Sequence, residues 1–161
     1  MLRLVCAACL LLNTLPAWAQ QVSAQDDRGV LVTLSQPAQR IISLAPHATE
    51  LAFAAGAGSF VVGVTAFSDY PPAAKRIQSL GDSGKVDLER VLALKPDLVL
   101  AWQSGNHSGD LAQLERLGVR IFVTEPRHLQ DIPRLLRAVG RLAGTDVKAA
   151  RVADGFKQRM S

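Results

Sequence analysis

Apolar and polar residues alternate from Val22 to Leu34, and the alternation breaks at Asp26-Asp27-Arg28-Gly29, which predicts a small hairpin. A different rhythm then begins. "RIISLAP" (residues 40–46) reads as a short buried strand, and "HATELAFAAGAG" (47–58) as an alanine-rich helix ended by Gly56 and Gly58. "FVVGV" (60–64) predicts a second strand, and "VDLERVLAL" (86–94) a helix with Asp87 as its N-cap. "PDLVLAW" (96–102) is a third strand opened by Pro96, and "SGDLAQLERLG" (108–118) a helix ending at Gly118. "VRIFVTE" (119–125) is a fourth strand, and a helix over about 129–142 closes at Gly144. A further helix starts after Thr145 as its cap, and its Val147, Ala150, Val152 and Phe156 should pack on something beyond it.

Strand and helix alternating at this spacing imply right-handed parallel crossovers, hence an α/β lobe with helices on both faces of a parallel sheet. The strands are continuously apolar rather than alternating, as a sheet buried on both faces requires. Loops leaving the C-terminal ends of such strands share one edge, where ligands usually bind. "APHATE" (45–50), "AFSDYPP" (66–72), "WQSGNHSG" (102–109) and "TEPRH" (124–128) should therefore line one rim.

Composition narrows the class. The 161 residues are 48% hydrophobic and 20% charged, a globular balance sufficient for one domain with a real core. The net charge of +4 is spread among acids without a basic stripe, which argues against a nucleic-acid partner. Residues 1–19, "MLRLVCAACLLLNTLPAWA", have an early cation, an apolar run too short to span a bilayer, and a small-residue site at Ala17-Trp18-Ala19. They read as a secretory signal peptide cut after Ala19. Cys6 and Cys9 lie inside it, so the mature chain has no thiol or disulfide.

Tyr70 and Trp102 each leave a core strand and enter the expected rim. Pro71 and Pro72 stiffen the backbone beside Tyr70, while the Gly- and Ser-rich stretch after Trp102 lets backbone amides approach a guest closely. Stiff aromatic faces with nearby donors suit a large, flat, partly apolar ligand edged with hydrogen-bonding groups. His47, His107 and His128 also fall on the rim, but no pair has ligand spacing such as i, i+4, which argues against a metal site. Contact of His47 or His107 with a ligand stays open. Glu50, Asp69 and Asp82 have no spacing that demands acid–base chemistry; Asp69 is expected to cap the turn ahead of Tyr70. No nucleophile elbow or phosphate-cradling glycine loop is present in the sequence. Glu89, in the first turn after Asp87, complements the helix dipole and points outward, a suitable docking charge for a basic partner.

"RIISLAPHATELAFAAGAG", "VVGVTAFSDYPPAAKRI", "DLERVLALKPDLVLAW" and "SGN" together resemble the N-terminal lobe of the periplasmic vitamin B12-binding proteins, within the iron-siderophore/cobalamin class of ABC-importer substrate-binding proteins. The resemblance runs from about Gln21 to the end. It implies a two-lobe binding protein in which each lobe is a parallel-sheet sandwich and a long helix connects the two. Residues 20–144 would be the ligand-binding N-terminal lobe and 145–161 the start of the interlobe helix, the second lobe being absent from this chain. It further implies capture of cobalamin or a related corrinoid by a monomeric, non-catalytic periplasmic protein with no metal or cofactor of its own, and delivery to the ABC permease in the membrane. Tyr70 would pack against the corrin and Trp102 line the same cleft, with Asp69, Pro71, Gly105 and Asn106 as further ligand-binding candidates. Glu89 would dock on arginines of the permease. Ser83 stands where the best-known members place a tryptophan, which removes one stacking face. A haem or ferric-siderophore carrier is the rival within the class, and a secreted metal-dependent enzyme using the rim histidines is the rival outside it.

Overall fold

The computed structural model describes residues 20–160. The expected signal peptide, with its cleavage point and both cysteines, lies outside the described residues. Val22–Gln25 (β1) and Leu31–Leu34 (β2) form the expected antiparallel hairpin. Ile41–Ser43 (β3), Pro46–Ala54 (α1) and Val61–Val64 (β4) follow. Between β4 and the next helix, Pro72–Arg76 makes a 3-10 turn, and Gly81–Asp82 (β5) pairs with Lys85–Val86 (β6) in a short hairpin that the hydrophobic pattern did not predict. Leu88–Ala93 (α2), Leu98–Trp102 (β7), Ser108–Arg116 (α3), Ile121–Thr124 (β8), Asp131–Ala143 (α4) and Asp146–Met160 (α5) complete the chain.

The four central strands run parallel in the order β4-β3-β7-β8, with helices on both faces. Along each strand, successive residues enter opposite cores. Ile41, Leu98, Leu100 and Phe122 face the core shared with the β1–β2 hairpin, α1, α4 and α5. Ile42, Val99, Ala101, Ile121 and Val123 face the core beneath α2 and α3. This period-2 division, with every position buried except the half-buried Val62 and Trp102, explains why the strands read as unbroken apolar runs.

β8 is an edge strand, and the hairpin turn covers it. Asp27 N donates to Val123 O at 3.0 Å, Glu125 N donates to Asp27 Oδ2 at 2.6 Å, and Val123 N donates to Asp26 Oδ2 at 3.3 Å. The carboxylates thus satisfy donors that an open edge would offer to another chain. Arg134 of α4 closes on Asp27 and fixes the turn from the other side.

α4 ends at Gly144, whose φ of +69° is the left-handed conformation that glycine adopts without a Cβ penalty. α5 then folds back along α4. At the crossing Gly140 carries no side chain, and a methyl there would overlap Ala149 Cβ. Ala149 and Ala153 are the buried positions of α5, with Val152 of the expected stripe packed beside them, whereas Val147 is 77% exposed. Small residues occupy the crossing itself, where the helices approach closely. The Thr145 hydroxyl donates to Ala55 O at 2.7 Å, so its bond reaches across to the end of α1.

Candidate ligand-binding rim

The parallel order places the C-terminal ends of β4, β3, β7 and β8 on one edge, so the four loops form one rim as expected. Tyr70 follows β4 and Trp102 ends β7. These strands flank β3, two spacings apart, which separates their axes by about 10 Å.

Tyr70 is 66% exposed on a braced loop. Ser68 is buried with its Oγ 3.1 Å from Thr49 Oγ1, which lies 2.9 Å from Ser43 Oγ, so a buried hydroxyl chain ties this loop to β3 and α1. Pro71 caps the 3-10 turn through its carbonyl, which accepts from Ala74 N at 2.8 Å, and the Tyr70–Pro71 peptide is cis. The expected aspartate cap does not form: the turn has no side-chain cap, and Asp69 is exposed. Pro71 supplies the fixed backbone that the aspartate was expected to hold. Phe67, which the sequence reading did not single out, is 79% exposed on the same loop with φ +65°. A bulky residue in that conformation is uncommon. The available signal was an aromatic three positions before Tyr70 in a loop already marked by its prolines.

Trp102 is half-buried, and its six-membered ring lies over Gly105, where any Cβ would overlap it. Gly105 is thus needed by the tryptophan. The indole also meets His47 edge-to-face, ring centres 5.5 Å apart and planes at 83°. Three of the loop's backbone donors are engaged within the protein and shape the loop: Gln103 N donates to Thr124 O, Ser104 N to Glu125 Oε2 and Asn106 N to Trp102 O.

Asn106 is buried. Its Nδ2 donates to Leu44 O at 2.9 Å and Ser83 O at 2.7 Å, and its Oδ1 accepts from Trp102 N at 2.7 Å. With both amide protons engaged, Asn106 braces three loops and offers no donor to a ligand. Ser83 is itself held by that bond, so the rim at this place is closed by backbone.

His47 sits in the first turn of α1, and its Nε2 is 2.8 Å from Thr124 Oγ1. Burial holds its pKa below 6.5, opposed by the nearby Glu125 and Asp27 carboxylates. His107 precedes α3 with Nδ1 3.5 Å from Asp110. Among the described residues no group of three or more His, Cys, Asp or Glu side chains is arranged to hold a metal. Glu89 is exposed in the first turn of α2, beside an Asp87 cap that accepts from Arg90 N at 3.1 Å. No described helix is long and apolar enough to cross a membrane. A groove of about 790 Å³ runs along β2 and β8 between Arg28 and Arg120, away from the rim aromatics.

The sequence model of the periplasmic binding protein family matches residues 41–161. A vitamin B12-binding protein of Pectobacterium atrosepticum is 45% identical over 122 residues, covering 76% of this chain and 44% of that protein. One of Yersinia pestis is 42% identical over 132 residues, covering 81% and 47%. Among solved structures, the periplasmic vitamin B12 binding protein of Vibrio cholerae superposes with a TM-score of 0.75 at 40% identity, over 77% of this chain and 49% of that one. A periplasmic heme binding protein of Pseudomonas aeruginosa gives 0.71 at 30% identity, over 76% and 44%. The chain spans about half the length of these relatives.

Proposed function

Because this chain belongs to the periplasmic binding protein family, a class of binding proteins rather than enzymes, we propose that it captures a corrinoid, vitamin B12 or a close relative, for an ABC importer. The single observation that carries the reading is the placement of an exposed Tyr70 and a fixed Trp102 on one sheet edge, in the loop after β4 and at the end of β7. A flat macrocycle lying along that edge would meet both rings, and each would contribute through apolar area on a face with little freedom left to lose. Phe67 extends the same aromatic border.

Residues 20–144 act as one wall of the cleft, and α5 begins the helix that leads to a second lobe. The protein works in the periplasm after removal of residues 1–19, and Glu89 guides docking on the permease. Support for a corrinoid over a porphyrin comes from the relatives: the B12-binding proteins reach 45% identity, against 31% and 30% for two heme-binding structures.

The test is calorimetry on the full-length protein with cyanocobalamin. Replacing Tyr70 and Trp102 together by alanine is expected to weaken binding by about 30- to 100-fold. Unchanged titrations sink the reading. A ligand carried through purification with a haem rather than a corrinoid absorption spectrum replaces it with the porphyrin alternative.

A further inference from the structure

His47 follows the end of β3, yet its ring reaches Thr124 at the end of β8, and it meets Trp102 at the end of β7 in a T-shaped contact. Since β7 lies between β3 and β8, the imidazole is laid across the top of the sheet, as floor of the space between the rim loops. Its tautomer follows from its partner. Thr124 is fully buried, and its one hydroxyl proton goes to Ala101 O at 2.8 Å. Thr124 Oγ1 can then only accept from the ring, so His47 Nε2 carries a proton. Burial and the positive end of α1 both disfavour the imidazolium, leaving Nδ1 as a bare lone pair. Every buried side-chain nitrogen and oxygen among the described residues has a partner, and the partner given to His47 is at Nε2; Nδ1 is therefore not sealed from solvent, and His47 stands at the rim edge of the sheet.

The carboxylates of Glu125 and Asp27 act on the same ring. Glu125 accepts from Ser104 N and lies 3.9 Å from Arg127 Nε, and Asp27 is closed by Arg134. With both acids paired, the floor's unpaired group is the ring acceptor. A guest edged with carboxylates has no proton to give it; a guest edged with primary amides finds a partner for an N–H.

We propose that His47 Nδ1 is a hydrogen-bond acceptor in the cleft floor that selects amide-edged tetrapyrroles over carboxylate-edged ones. This rests on the corrinoid reading, since cobalamin is rimmed with amides and haem carries carboxylates.

The test uses the full-length protein, labelled with ¹⁵N-histidine, with cyanocobalamin and hemin as probes. The free protein is expected to show His47 protonated at Nε2 and bare at Nδ1, and the Nδ1 resonance to move on saturation with cyanocobalamin. His47→Phe, which keeps a ring edge against Trp102, is expected to weaken cyanocobalamin binding about five- to tenfold and hemin binding not at all. Should that variant fold poorly, the wild-type resonances still decide. An Nδ1–H tautomer, an unmoved resonance at saturation, or equal loss for both probes overturns the role of His47 in a protein that binds cyanocobalamin. No cyanocobalamin binding by the wild type overturns the corrinoid reading, and the selection with it.

Discussion

Gly105 lies directly under the indole of Trp102, so that a methyl at its Cα would overlap Cε3 and Cζ3 of the ring. Glycine here fixes an aromatic wall, and the His47 ring, 5.5 Å centre to centre and nearly perpendicular, packs against the same indole. Gly105→Ala must push the half-buried indole outward. Trp102 is the single tryptophan between residues 20 and 161, so its emission reports the change without interference from that segment. The expected outcome is a shift to longer wavelength with a loss of less than about 2 kcal/mol in stability, since the displaced ring was already partly solvated. An unshifted spectrum shows that the ring is not held by Gly105.

Asn106 makes the complementary case. Its three bonds, to Leu44 O, Ser83 O and Trp102 N, join the loops after β3, β5 and β7. Asn106→Leu leaves these buried groups without partners and is expected to destabilise the protein by about 2–4 kcal/mol. Asn106→Asp should be at least as harmful, because a carboxylate would face two carbonyl oxygens. Urea unfolding of both variants checks this. Normal stability with lost ligand affinity would instead make Asn106 a ligand contact.

What the sequence made legible was mostly local chemistry. The strands and helices follow from periodicity, and the Asp87 cap is read from residues three positions apart, where Arg90 N meets Oδ1. The shared rim followed from topology, since parallel crossovers allow no other arrangement. What stayed hidden depends on partners distant in the chain. His47 reaches Thr124 across 77 positions, and Asn106 reaches Leu44 across 62 and Ser83 across 23. No periodicity encodes such pairs, so the bracing bonds of Asn106 and the close approach of Trp102 to Gly105 could not be read from the sequence. The β5–β6 hairpin was missed because two-residue strands carry no alternation, and Phe67 because its only signal is its place beside Tyr70 in the proline-marked loop, not a periodicity.

His47 gives the rim a defined pH response. Its pKa lies below 6.5 in the folded protein, chiefly through burial. Between that lowered value and about 6.5 the unfolded chain binds a proton that the folded chain does not, so stability falls as pH drops through this window and levels off below it. Thermal melts from pH 8 to pH 5 should show the wild type losing more stability than His47→Phe. Trp102 emission should fall over the same window, because an imidazolium quenches the indole it touches. A midpoint above pH 6.5 in the emission titration would contradict the burial argument.

Glu89 stands on a helix start that keeps it available. Asp87 takes the capping bond from Arg90 N and pairs with the Arg90 guanidinium at 3.2 Å, so the local cation is engaged by the cap and Glu89 is left exposed one residue away. A carboxylate so placed gains at most about 1 kcal/mol from the helix dipole, and its removal should barely change folding. If the protein hands its ligand to a basic pocket of a permease, as proposed, the charge matters in the encounter, which is steered and weakens with salt. Glu89→Ala in the full-length protein is therefore expected to leave cyanocobalamin affinity within about twofold of wild type. Uptake into vesicles carrying the permease should slow severalfold, with a shallower salt dependence. Slower uptake with unchanged salt dependence would remove Glu89 from the steering role, and weaker ligand binding would move it from the docking surface to the cleft.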